Sequence, residues 1–211
     1  MPDEAQILTA LTTEHFGLAG ARSQAAAESS SRSALYLGVV SATLVGLGLT
    51  AQVSNGGRIF DVFALVALPT VFTVGVFTFV RLIELGIEDF LLGRAINRVR
   101  HYYLERAGDS ARYFMLSGND DATGVMSNMG LTPRPFQLYF TAAISIGVVN
   151  AVVGGAVAAI AVGIAFDATL GVAVASGAAV AIIALMVAVR YQYTRRESGT
   201  RHPILFPSEV A

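Results

Sequence analysis

Cysteine is absent from this chain, and so is lysine. The first absence excludes disulfides and thiolate metal sites and leaves the redox compartment unread. The second excludes Schiff-base chemistry and the phosphate-binding lysine of a P-loop. All 14 basic residues are arginine, as a GC-rich coding sequence favours. Charge itself is scarce: 14% of the 211 residues carry one and 54% are hydrophobic, where an average soluble domain is about 25% charged. A formal net charge of −1 provides no global attraction to nucleic acid or to anionic lipid. The N-terminal stretch MPDEAQILTALTTEHFGLAGARSQ lacks a basic n-region and an apolar h-region, so a signal peptide is not expected there.

What the chain does have is four long runs without a charge: Ser33 to Val53, Val62 to Val80, Leu138 to Phe166 and Ala168 to Val189. About 20 apolar residues in a helix cross the roughly 30 Å hydrocarbon core, and lipid leaves backbone amides no partner outside a helix or a closed barrel. The expected fold class is therefore all-α, a polytopic membrane protein with spans at 33–53, 62–80, 138–166 and 168–189. Around the spans lie an N-terminal helical segment (1–32), an extension and loop (81–136) and a tail (190–211).

Arginine placement sets the orientation. Arg22 and Arg32 precede the first span; Arg81, Arg94, Arg98, Arg100, Arg106, Arg112 and Arg134 lie between the second and third; Arg190, Arg195, Arg196 and Arg201 follow the fourth. Only Arg58 lies on the other side, and the positive-inside rule then makes both termini cytoplasmic in a bacterial inner membrane. Tyr36, Tyr139, Tyr191 and Tyr193 fall near the inner ends, where amphipathic rings can sit at headgroup level. The outer connections are too short to form an ectodomain.

No proline occurs between Pro69 and Pro133, so the second span is expected to continue past Arg81 as one helix from about Val62 to about Arg106. Pro69 is the expected kink within that span. On the extension, Leu85, Asp89, Leu92, Ile96, Val99 and Tyr103 follow the a/d spacing of a coiled coil, with Arg94, Arg98, His101 and Glu105 on the opposite, water-facing side. Asp89 is a carboxylate on an apolar seam. It pairs with an arginine, or sets register and oligomer state, or is solvated where the seam is still open. The N-terminal segment is the candidate partner helix through Ile7, Leu8, Leu11, Phe16 and Leu18. Beyond Ala107 the periodicity ends. Asp120 or Asp121 is placed to cap a short helix through Asn128, with Gly130 and Pro133 as stops, and the proline-containing tail from Glu197 reads as extended or disordered.

Small residues recur at four-residue intervals in the last two spans: Gly154, Gly155, Ala158, Ala159 and Gly163 in the third, and either Gly171, Ala175 and Ala179 or Ala173, Gly177 and Ala181 in the fourth. They permit close helix approach, within one copy or between copies. No ionisable residue lies inside a span, and Asn150 is the most polar group near mid-span, expected to make an interhelical hydrogen bond. The inner-rim charges Arg81, Glu84 and Glu88 read as juxtamembrane ion pairs, or as a ring of charge if copies assemble around a pore. Arg94, Arg98 and Arg100 form a candidate anion contact without an accompanying glycine-rich loop. His15, His101 and His202 are far apart in sequence, no HExxH or GxSxG occurs, and the adjacent Asp120 and Asp121 read as a turn or cap before a metal site. No cofactor, catalytic residue or nucleic-acid partner is expected.

"LTTEHFGLAGARSQ", "INRVRHYYLE" and "NDDATGVMSNMG" together resemble the uncharacterised four-span integral membrane proteins of high-GC Gram-positive bacteria. That resemblance covers most of the chain and implies the architecture without an activity. In layout and in "ESSSRSALYLGVVSATL" the chain is also similar, more faintly, to transmembrane effectors of Pycsar defence systems. Those imply cyclic-nucleotide sensing and impairment of the inner membrane. The functional expectation is a non-enzymatic inner-membrane protein that self-associates into a homo-oligomer in the lipid bilayer. Its cytoplasmic helices would dock a protein or nucleotide ligand. The alternatives are a ligand-gated pore or membrane-disrupting effector and, third, a lipid-interface enzyme.

Overall fold

The computed structural model describes residues 3–55, 57–131, 141–199 and 201–208. Among them every regular element is a helix: α1 (Glu4–Ser54), α2 (Arg58–Ala107), a 3-10 turn (Gly108–Tyr113), α3 (Ala122–Asn128), α4 (Ala142–Phe166) and α5 (Leu170–Gly199). The calls on Leu138, Tyr139, Pro133 and Arg134 lie outside the described residues. α1, α2, α4 and α5 are each long and apolar enough to cross a membrane. α2 accommodates Pro69 within its 50 residues and runs without a break past Arg81.

The described residues fall into two compact units. One comprises 29–83 and 141–195 and holds the apolar runs; the other comprises 3–28, 84–131 and 196–208.

In the first unit α2 and α4 are the inner pair. A third of the most apolar stretch of α2 (33%) and 28% of that of α4 are buried, against 6% in α1 and in α5. Glycine sets the approach of the helices. A Cβ added at Gly155 would stand 2.6 Å from the Gly177 carbonyl oxygen, and one at Gly177 the same distance from the Gly155 oxygen, so the two backbones touch. Ala159 and Ala181 flank that contact, and Gly154 and Gly147 receive the rings of Phe72 and Phe79 from α2. Of the two small-residue faces offered by the fourth span, Ala173 and Gly177 pack inward, whereas Gly171, Ala175 and Ala179 face outward. The inward face is thus used within one copy.

Asn150 meets Tyr36. The tyrosine hydroxyl donates to Asn150 Oδ1 at 3.0 Å across α1 and α4, with Asn150 6% and Tyr36 1% exposed. A Cβ at Gly75 would overlap that Oδ1, so α2 has a glycine where the pair needs room. This corrects the placement of Tyr36 as a headgroup anchor: its ring is sealed between helices because a buried amide offers its hydroxyl an acceptor. The hydroxyls of Ser41, Thr43, Thr70 and Thr78 return to carbonyls four residues back, which is how apolar helices tolerate them. The turns that follow α1 and α4 close through left-handed residues, Asn55 at φ 49° and Asp167 at φ 47°.

Candidate functional site

The second unit is built on an antiparallel pairing of the first part of α1 with the last part of α2. Glu4 meets Arg106 at 2.7 Å, the Tyr103 hydroxyl donates to Thr12 Oγ1 at 3.3 Å with the His15 ring 6.2 Å from that of Tyr103, and Arg22 meets Asp89 at 2.8 Å. Contacts that step down one helix as they climb the other define the register. The face of α1 that turns inward carries Ile7, Leu11, His15, Leu18, Arg22 and Ala25, spaced three and four apart. Two residues expected on that face are not there: Leu8 is 49% and Phe16 71% exposed. Helical spacing explains both, since each lies one residue beyond a seam position, about 100° around the helix.

On α2 the expected seam is largely buried, with Leu85 2%, Ile96 7% and Val99 7% exposed, and Leu92 and Tyr103 half-buried. Asp89 pairs with an arginine, taking Arg22 Nε at 2.8 Å and Nη2 at 3.3 Å on its two oxygens. Of the inner-rim charges, Arg81 belongs to the first unit and Glu84 and Glu88 to the second; Glu88 is exposed.

The opposite side of α2 departs from expectation. Arg94 is only 5% exposed and Asn97 2%, so the face assigned to water is a second interface. The covering chain is assembled locally. Gly108, at φ 51°, turns the backbone out of α2 into the 3-10 turn. Gly118 then lies flat on the helix, where a Cβ would stand 2.9 Å from His101 Cα. Asp121 caps α3 by accepting the Gly124 N–H at 2.8 Å, and Gly130 leaves the helix at φ 69°. Asn97 ties these pieces together, donating to the Asn119 carbonyl at 2.7 Å and accepting from Arg100 and Asn128, both at 2.9 Å.

The chain's tail completes the site. Arg94 donates to the carbonyls of Asp120 (2.6 Å), His202 (3.2 Å) and Pro203 (2.9 Å). Arg98 reaches Asp120 Oδ2 at 2.6 Å and also donates to the Pro203 carbonyl. Asp120, wholly buried, accepts the N–H groups of Leu205 at 3.0 Å and Phe206 at 2.8 Å, and its own N–H donates to the Phe206 carbonyl at 3.0 Å. Asp121 accepts both the N–H of Ser208 (3.0 Å) and its hydroxyl (2.8 Å). The Phe206 ring stacks on His101 at 3.7 Å. A tail read from sequence as extended or disordered is docked from 202 to 208, with bends at Leu205 and Phe206, and α5 itself runs on to Gly199. Within PILFP the Phe206 ring packs on His101 while Ile204 and Leu205 stay 53% and 57% exposed, so neither the apolar run nor Asn97 signalled the docking.

Electrostatically the cluster is closed. Burial alone would push the Asp120 carboxyl up, but the N–H of Phe206, the Arg98 guanidinium and the N–H of Leu205 outweigh it and hold the group below its ordinary value. Asp121 follows the same balance, with burial opposed by the N–H groups of Gly124 and Ser208 and the Ser208 hydroxyl. Carboxylates held ionised with their oxygens filled by N–H donors are poor general acids or bases. Of the three arginines considered for an anion, Arg94 and Arg98 are engaged with Asp120 and the tail. Among the described residues Arg100 bonds neutral oxygens, Asn97 Oδ1 at 2.9 Å and the Ser117 carbonyl at 3.3 Å. Burial and then the charge of Arg22 lower its pKa, though a guanidinium remains charged at any ordinary pH. Among the described residues no group of three or more histidine or acidic side chains is placed to hold a metal ion.

The chain matches no protein-family model, no curated protein and no solved structure. Its functional reading therefore rests on the geometry of the cleft that Arg94, Arg98, His101, Asp120 and Asp121 form around the tail.

Proposed function

We propose that this chain is a non-enzymatic protein of the bacterial cytoplasmic membrane that self-associates and docks extended protein segments on its helical, cytoplasmic unit. Four candidate spans and the one-sided distribution of arginine support the placement, with α2 continuing from the bilayer into the cytoplasm and both termini inside. The unit boundaries lie close to Arg32, Arg81 and Arg190, where the sequence changes from apolar to charged.

The observation that carries the docking reading is the manner in which residues 202–208 are held. Most of the polar contacts join the segment's own backbone to the side chains of Arg94, Asp120 and Asp121, and one aromatic side chain adds a stacking contact. The same unit exposes a consecutive apolar run, Tyr113 (76%), Phe114 (42%), Met115 (95%) and Leu116 (40%), of the kind that marks association surfaces.

A labelled peptide of residues 201–211, titrated into nanodisc-embedded protein truncated after Gly199, should bind saturably at one site per chain. Asp120→Asn should abolish that binding. A truncated protein that retains its helicity and takes up no peptide would refute the docking function.

A further inference from the structure

We propose that the first turns of α2 carry a site for one phospholipid with a net-negative headgroup, its phosphate on Arg58 and one acyl chain in the apolar cleft that follows. The inference rests on the placement of this unit in a bilayer and is independent of the tail.

A cleft of about 560 Å³ lies along the start of α2, lined by Arg58, Ile59, Val62, Phe63 and Val66. Small-ligand sites span roughly 300–1,000 Å³. The lining residues share one face of the helix, and Arg58 and Val66, eight residues apart, are separated by about 12 Å at 1.5 Å per residue. One leaflet of a roughly 30 Å hydrocarbon core is about 15 Å deep, so an acyl chain laid along this face uses most of its length. Ile59, Val62 and Val66 are 65%, 56% and 65% exposed, which leaves the cleft uncovered by the described chain. The Phe63 ring is settled against α1, where a Cβ on Gly46 would stand 3.1 Å from it.

Exposed apolar side chains occur elsewhere on this unit, and bulk lipid suffices to cover them. The charge at one end of the cleft sets this patch apart. Arg58 is the one basic residue between the first two apolar runs. Among the described residues it makes no hydrogen bond or ion pair, and Asp61, three residues on, neither pairs with it nor lines the cleft. A guanidinium at the end of a span extends to headgroup level and takes phosphate oxygens on paired N–H donors. A free phosphate would leave the apolar face unused, and a plain hydrocarbon would leave the arginine unused; a phospholipid engages both. A net-negative headgroup compensates the charge of Arg58 in full. A zwitterionic one brings its own cation and compensates it less.

The chain has no tryptophan, so a single introduced indole reports the lipid beside it. Val66→Trp places the reporter in the cleft, and Val174→Trp, at a 57% exposed position of α5, is the comparison. Each full-length protein is reconstituted in phosphatidylcholine vesicles that carry, at equal mole fraction, either acyl-brominated phosphatidylglycerol or acyl-brominated phosphatidylcholine as quencher. At position 66 the anionic quencher should be preferred about fivefold, since one basic residue at an anionic lipid surface contributes about 1 kcal/mol and 1.36 kcal/mol is a decade. The preference should persist with Arg58→Lys, vanish with Arg58→Gln and be absent at position 174. Equal quenching by the two lipids at position 66, or a preference that survives Arg58→Gln, overturns the site and leaves the bilayer placement standing. Quenching at 174 without quenching at 66 shows protein in the cleft and overturns the site as well. Quenching at neither position overturns the bilayer placement itself.

Discussion

Replacing Asp120 by asparagine keeps the shape of the side chain and removes its charge from between two guanidiniums. Asp120 has no solvent exposure, lies 2.6 Å from Arg98 Nε and 3.5 Å from Arg94 Nη2, and accepts two backbone N–H groups of the tail. Breaking a buried ion pair from one side costs about 3–5 kcal/mol. The lower end applies here, because Arg98 is 35% exposed and can recover water. About 3 kcal/mol corresponds to roughly a hundredfold shift of the tail towards its released state, at 1.36 kcal/mol per decade. The exposed Ile204, replaced by cysteine and labelled with a nitroxide, reports this as an increase in the mobile fraction of the electron paramagnetic resonance spectrum. The pH dependence has a definite sign. A carboxyl whose folded pKa is depressed contributes stability above its unfolded value, about 3.9, and loses it as pH falls through the folded value. The wild-type tail should therefore stay docked from pH 8 to about 5 and loosen progressively only as the pH falls below about 3.9 towards the lower folded value, whereas the variant should be mobile throughout. A nitroxide equally immobile in both proteins at pH 7, or a wild type that releases its tail between pH 7 and 5, would refute the assignment of Asp120 as the anchor.

The two faces of α2 give a second prediction. Ile96→Asp should lower the thermal midpoint in detergent by about as much as Arg98→Asp, by several degrees each. Heptad spacing alone would leave Arg98→Asp mild, but that change sets a second carboxylate against Asp120, and a tolerated substitution would show the second interface to be absent. Between α4 and α5, Gly155→Val should destabilise by about 1–3 kcal/mol through overpacking against Gly177, while Gly171→Val on the outward face should be neutral; equal effects in chemical unfolding would contradict the packing. Tyr36→Phe should cost about 0.6–1.7 kcal/mol, the range for interhelical hydrogen bonds in membranes, and Asn150→Leu more than that if Tyr36 is left without an acceptor. A calorimetric difference below 0.3 kcal/mol for both would remove the pair from the account.

The apolar runs, the unbroken passage of α2 beyond Arg81, the cap at Asp121 and the left-handed stop at Gly130 were legible in the sequence, because each is decided within a few residues by composition, the absence of proline, or a side chain bonding its own backbone neighbour. One seam of α2 was legible for the same reason, since apolar residues at heptad spacing share a face wherever the helix goes. Tertiary structure alone decided the rest. Arg94 was read as water-facing and Asn97 carried no signal, yet both are buried because partners 26, 108 and 22 residues away fill their hydrogen bonds. Tyr36 looked like an interfacial ring until Asn150, 114 residues on, supplied an acceptor. Periodicity records which residues avoid water by their own chemistry; it does not record which polar groups have found one another, because that depends on chain segments brought together only by folding.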